Sequence, residues 1–297
     1  MKKILLSLAF LPMLACTTST TSTPAPTPER PPIIGVAHAA LYCSDIDATC
    51  DFLKECFGFD ESIRYYNPDG SPRLSAIKIN ERQIIELFPE KEAGSDRLIH
   101  YAVETTDAEG MRQYLKAKGY EVPDSVKKLN MGLINFFMTD PTGHLLEFVE
   151  YTNDGDLGNT HGKHMPTTRV SNRMNHLGFY VPDKATAEDF FCNVLGFKTD
   201  WDLEVVPDKL SIMLLRVPEG EDQIEILLSP TTPTQEELLF GNHISLEVID
   251  AEEAVAKLKT RPIKDKTAKI GEAALNVLGV HSSNCVLPDG NRIEIME

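Results

Sequence analysis

Clustered basic residues are missing from this chain. Its 29 Lys and Arg stand against 45 Asp and Glu, a net charge of −16, and no basic run occurs anywhere. Phosphate backbones and anionic surfaces are bound through grouped Lys and Arg, so nucleic acid is excluded as a partner. The apolar run from Ile4 to Leu14 is too short to span a bilayer. Cysteine is sparse and forms no CxxC pair, and beyond Cys16 an odd five remain, which does not describe a disulfide framework. Cys50 and Cys56 lie six apart on one predicted helix and face different sides, so buried, inert thiols are expected. What is present is 42% hydrophobic and 25% charged residues, the balance of a globular protein. A length of 297 residues suits two domains, each with its own core.

The first thirty residues depart from that average. Lys2 and Lys3 precede the apolar run, which ends at Ala15 and Cys16, the layout of a secretory signal over residues 1–16. A Cys directly after a small residue at the cleavage point resembles the lipobox of bacterial lipoproteins and implies lipidation of Cys16, with export to the cell envelope. Residues 17–32 are nearly all Thr, Ser, Pro and Ala, too polar to build a core, and suit a tether.

Internal repetition decides the organisation. His38-Ala-Ala-Leu-Tyr42 and Phe57-Gly58-Phe59 recur 138 residues later as His176-Leu-Gly-Phe-Tyr180 and Leu195-Gly196-Phe197. The halves also end alike, Pro141-Thr-Gly143-His-Leu-Leu-Glu147 mirroring Pro288-Asp-Gly290-Asn-Arg-Ile-Glu294. Within each half, His100-Tyr-Ala-Val-Glu104 and His243-Ile-Ser-Leu-Glu247 open a further strand followed by an amphipathic helix. Four βαβββ modules result, grouped as domains at 33–152 and 173–297. Gly58, Gly119 and Gly196 are placed to stop helices. After each helix, two extended runs stand out, for example Leu74 to Ile79 and Gln83 to Phe88. The linker, 153–172, contains His161 and His164, whose spacing could ligate metal but which in a polar linker are more often solvated.

Every module places a His in its first strand and a Glu in its last: His38 with Glu86, His100 with Glu147, His176 with Glu225 and His243 with Glu294. Strand alternation puts Val36, Ala40 and Tyr42 on the side of His38, and the residue two beyond each His is small: Ala40, Ala102, Gly178 and Ser245. The carboxylates, flanked by Ile, Leu or Phe that must point the other way, face the same concavity. Two imidazoles with one or two carboxylates suit Fe(II), Mn(II), Ni(II), Co(II) or Zn(II). Tyr42, Tyr180, Glu104 and Glu247 are expected to face the cleft by parity. Whether modules pair within a half or across halves is open at this point.

The pattern resembles the vicinal oxygen chelate superfamily, which includes glyoxalase I, extradiol dioxygenases and bleomycin-resistance proteins. The resemblance covers residues 33–297 and rests on the strand-one His, the Gly-Phe after the first helix of each half and the Pro-x-Gly-x-x-x-Glu ending. It implies an α+β fold, two paired glyoxalase-like domains with curved mixed sheets around a metal. The two-His, two-Glu set per half implies a lyase or isomerase that stabilises an enediolate on a small molecule with vicinal oxygens. One Glu then moves a proton, and Glu147 and Glu294, in the closing strands, are the candidates. Arg73, Lys78 or Arg216 would supply a local basic pocket for an anionic substrate. The alternative is an extradiol-type Fe(II) dioxygenase using His176, His243 and Glu294, although Asn284 and Cys285 occupy the region where its Tyr is expected. A non-catalytic binder of a metal or small ligand is the third reading. A monomer is compatible with all three.

Overall fold

A computed structural model describes residues 28–93, 97–206, 210–229 and 231–297. The expected signal peptide, Cys16 and all of the tether before Pro28 lie outside the described residues. The first half runs β1 (Ile33–Cys43), α1 (Ile46–Glu55), β2 (Asp60–Tyr66), β3 (Pro72–Lys78), β4 (Ile84–Pro89), β5 (Leu98–Thr105), α2 (Ala108–Ala117), β6 (Lys127–Leu129), β7 (Leu133–Thr139) and β8 (Leu145–Tyr151). A short α3 (Gly155–Asn159) leads to the second half. That half runs β9 (Met174–Val181), α4 (Lys184–Ala187) continued by a π-helical stretch (Glu188–Val194), β10 (Lys198–Val206), β11 (Leu210–Arg216) and β12 (Gln223–Leu228). It ends with α5 (Gln235–Gly241), β13 (His243–Glu247), α6 (Ala251–Lys259), β14 (Lys269–Ile270), β15 (Ala274–Leu275), β16 (His281–Val286) and β17 (Arg292–Met296).

Each half is one curved mixed sheet. The strand order is β2-β3-β4-β1-β5-β8-β7-β6 in the first and β10-β11-β12-β9-β13-β17-β16-β14 in the second, with β15 beside β16. The modules therefore pair within a half, with β1 against β5 and β9 against β13, both antiparallel. Four βαβββ modules in two glyoxalase-like domains is the architecture expected from the repeats.

Local chemistry explains the module boundaries. Each helix that follows an opening strand starts on an Asp whose carboxylate accepts backbone N–H groups of the first turn: Asp45, Asp107, Asp183 and Asp250. Gly58, Gly119 and Gly196 adopt φ of 74°, 91° and 80°, so the chain reverses there as only Gly does without strain. The outer strands β2 and β10 were not signalled by apolar runs. They carry charged residues on exposed edges, and their main-chain pairing to β3 and β11 holds them in place.

The convex faces of both sheets and the helices share one continuous core. The Tyr101 ring packs tilted against Phe179 at 4.8 Å, Tyr120 meets Phe190 edge-on at 5.4 Å, and the Tyr114 hydroxyl donates to the Val194 carbonyl at 2.7 Å. At the seam Gln83 is buried, its amide donating to the Met174 carbonyl at 2.8 Å while its carbonyl accepts from the Met174 N–H at 2.8 Å. The end of the expected tether is pinned there too, Arg30 pairing with Glu219 at 2.6 Å. The halves thus stand back to back and their concave faces point outward. Val36 departs from the expected parity: a register shift between Val36 and His38 turns it into the shared core. Cys43, Cys50, Cys56 and Cys285 are buried free thiols, and burial pushes Cys50 and Cys56 up to about 11.

Candidate metal centres

The pairing of opening strands determines which residues meet. His38 lies opposite Ala102, and Ala40 opposite His100. Ala40 also faces Glu86 on β4, and Ala102 faces Glu147 on β8. Two rows therefore cross the sheet, one of Glu86, Ala40 and His100, the other of His38, Ala102 and Glu147. Each small residue separates an imidazole from a carboxylate, which is the room the sequence pattern called for. The second half repeats this with Glu225, Gly178 and His243 in one row and His176, Ser245 and Glu294 in the other. At Gly178 the fit is tightest, because a Cβ there would stand 2.0 Å from His243 Cε1 and 2.9 Å from Glu225 Oε2.

All eight side chains are buried. In the first cluster His38 Nε2 lies 3.1 Å from His100 Nε2, and Glu147 Oε2 lies 2.9 Å and 3.1 Å from the two. Glu86 Oε2 is 3.8 Å from both imidazole nitrogens. In the second, His176 Nε2 and His243 Nε2 are again 3.1 Å apart, with Glu225 3.3 Å from His243 and Glu294 3.5 Å from His176. One ligand atom each of His38, Glu86 and His100 falls within 4.8 Å of the others, as do those of His176, Glu225 and His243.

Contacts within the protein leave these groups incompletely satisfied. The Nδ1 atoms of His38 and His176 have no hydrogen-bond partner. Buried charges without a compensating ion cost several kcal/mol per group. A divalent cation taking lone pairs from imidazole nitrogens and carboxylate oxygens fits the set, which offers no sulfur. Two supporting contacts aim the donors as metal sites do. His243 Nδ1 donates to the Gly241 carbonyl at 2.7 Å, which leaves Nε2 as an acceptor, and the Asn135 amide donates to Glu147 Oε1. Sequence reasoning missed Asn135, which lies in β7 two residues before Phe137, the register partner of Glu147.

Electrostatics differ between the clusters. Burial works against a charged His38, but Glu86 and Glu147 outweigh it and raise its pKa above the ordinary 6.5. Burial also opposes ionisation of Glu147, yet His38 and His100 hold it down at about 2, whereas Glu86 is raised by burial. In the second cluster burial, then the charges of Arg292 and His176, depress His243 well below its ordinary value. Burial raises Glu225, while Glu294 is held below the carboxylate range by His176 and His243 despite burial.

A cavity of 420 Å³ opens over the first cluster, with Tyr65, Arg73, Phe88, Leu129, Met131 and Phe137 among its walls. The linker contributes to it: Asp156 on α3 accepts from the Tyr65 hydroxyl, while His161 farther along the linker is exposed to solvent as expected. Of the three cations expected to make a basic pocket, Arg73 reaches the cavity, its guanidinium 5.1 Å from the Tyr65 ring centre. Lys78 instead bonds Glu81 and the Thr160 carbonyl, and Arg216 pairs with Asp200. Phe88, the register partner of Tyr42, lines the cavity in place of Tyr42. Tyr180 does flank the second cluster, packed against Gly241. Glu104 and Glu247 are taken up by Arg82 and Arg173, at 2.8 Å and 2.9 Å. Among the described residues neither linker His joins a cluster, and His164 bonds Asp60 at 2.8 Å.

The sequence profile of the glyoxalase/bleomycin resistance protein/dioxygenase superfamily matches residues 35–148 and 173–295, one copy per half. The chain belongs to this superfamily. A segment of this chain is 31% identical over 123 residues to mitochondrial methylmalonyl-CoA epimerase of Mus musculus, a match covering 38% of this chain and 67% of the mouse protein. The Bos taurus epimerase is 29% identical over 122 residues, covering 38% and 69%. The fold matches the Mn(II)-bound glyoxalase from Novosphingobium aromaticivorans with a TM-score of 0.66 at 18% identity, over 90% of this chain and 82% of that one. Homoprotocatechuate 2,3-dioxygenase from Brevibacterium fuscum, complexed with 3,4-dihydroxyphenylacetate, matches at 0.66 and 16% identity, over 92% and 83%. At these identities the two structures speak to the superfamily fold alone.

Protons compete with a metal for imidazole, so the two clusters should respond differently to acid. His38 takes up its proton above the ordinary histidine value, and His243 stays neutral far below it. As pH falls through roughly 7 to 5 the first cluster should release metal before the second. Metal retained after dialysis at stepped pH, measured on variants with one cluster removed, checks this. Earlier release from the second cluster would contradict it.

Proposed function

We propose that the protein is a metal-dependent lyase or isomerase of the glyoxalase kind, acting on a small molecule with vicinal oxygens. The observation that carries this reading is the convergence of His38, Glu86, His100 and Glu147 beneath a cavity with largely apolar walls that the last three line. A divalent ion held by these four residues would act as a Lewis acid toward the two substrate oxygens. Leu74, Phe88, Met131 and Phe137 exclude water from the reacting atoms. Glu147, oriented by Asn135, takes a proton from the carbon beside those oxygens and returns it to the neighbouring position or the other face. Glu294 has the same role in the second half. Similarity to an epimerase supports the reading, because epimerisation is removal and return of a carbon-bound proton.

One observation favours a different base: Glu86 stands farther from both imidazoles than Glu147 does and is the more loosely held carboxylate. The two are separable. Glu147→Gln is expected to lower turnover of α-keto thiohemiacetals or 2-substituted thioesters by ~10²- to 10⁴-fold with metal retained, and Glu86→Gln by much less. The reverse order would move the base to Glu86. A dioxygenase built on His176, His243 and Glu294 would instead consume oxygen with a catechol, although Cys285, near the expected Tyr, is buried in the shared core. Ligand affinity without either activity would make the protein a binder.

We propose separately, from the apolar run ending at Ala15 and Cys16, that the protein is anchored at the bacterial cell envelope through Cys16. Labelled palmitate is expected to enter the full-length chain expressed in bacteria and not its Cys16→Ser variant; equal labelling of the two would remove the anchor.

A further inference from the structure

The two halves differ at one buried position beside the clusters. In the closing motif Arg292 stands where the first half has Leu145, whose side chain is exposed. Arg292 lies directly across from His243 in the pairing of β13 with β17, extending the row of Glu225, Gly178 and His243. It is two residues from Glu294, so it rises from the same concave face. Only 8% of Arg292 is exposed.

That guanidinium is poorly paired for a buried charge. Its Nη1 donates to Asn284 Oδ1 at 2.8 Å, and the ring of Phe240, from α5, covers it at 4.5 Å. Its Nε has no hydrogen-bond partner, and no carboxylate oxygen of the described residues lies within 4.0 Å of its nitrogens. Glu225 and Glu294 are near enough for their charges to act on it, but in a loaded centre those charges belong to the metal. A divalent ion with two carboxylates sums to zero, and Arg292 adds one buried positive charge. The first half, with Leu145 there, has no buried cation in the equivalent row; its Arg73 stands in the cavity wall, with Asp156 also among the lining residues.

Resting on the metal reading above, we propose that the second centre binds a small monoanion, a 2-hydroxy or 2-oxo carboxylate, whose carboxylate meets the free Nε–H of Arg292. The first centre, with Leu145 at the equivalent position, lacks this contact.

The test uses the full chain with the first cluster removed by His38→Ala and His100→Ala, loaded with Zn(II), its metal content measured, and titrated calorimetrically with glycolate. Glycolate should bind the Zn(II) form and not the metal-free form. Arg292→Gln should weaken binding roughly 30-fold or more with Zn(II) retained, and Arg292→Lys, which keeps the charge, should weaken it less. Equal binding to wild-type and Arg292→Gln centres, or equal binding without metal, would overturn the proposal while leaving the metal reading intact. Failure of the second cluster to retain Zn(II) would overturn both.

Discussion

The antiparallel pairing of one module's opening strand with the next is the constraint on which the rest of the structure depends. Because β1 faces β5 with His38 opposite Ala102, each imidazole stands beside a residue small enough to clear it, and the flanking parallel strands add a carboxylate at the far end of each row. A slip of one residue would turn the histidines into the convex core and expose its apolar side chains. The same register that buries Ala39, Leu41, Tyr101 and Val103 therefore assembles the polar cluster on the opposite face. Stability and site are fixed by one set of main-chain hydrogen bonds.

Placing the halves back to back has a functional consequence. The convex faces and helices shield one another, which frees both concave faces to hold buried charge near solvent without breaching the core. The halves have then diverged around a common plan. The first has an open cavity with a wall from the linker helix and a cation at its rim; the second is covered from α5 and carries a buried cation next to its histidines. Two centres with the same donors consequently sit in different fields, as the opposite shifts of His38 and His243 show.

Much of this was legible in the sequence because duplication writes the same residues four times. The spacing of each His to its Glu, the small residue two positions on and the Gly after the helices each answer to a physical need. The sequence did not carry information that depends on register between distant strands. Parity alone put Val36 and Tyr42 in the cleft, but a bulge beside His38 turned Val36 inward, and Phe88 took the lining position across from Tyr42. The four Asp caps were readable and would have sharpened the module boundaries. Asp156, Asn135 and the cover over Arg292 were not, since each works through a contact with an element far away in the chain. The edge strands were hidden for another reason: their pairing is made by the main chain, and their side chains are exposed.

The claim that each half holds a metal centre is tested most directly by elemental analysis of residues 17–297 purified without chelator or affinity histidines. Two equivalents of a divalent transition metal per chain are predicted, falling to one on replacement of either His38 and His100 or His176 and His243 by Ala, and to none when all four are replaced. A chain that takes up no metal after soaking with Fe, Mn, Co, Ni and Zn under reducing conditions would contradict the account. So would one that keeps its metal with all four histidines gone.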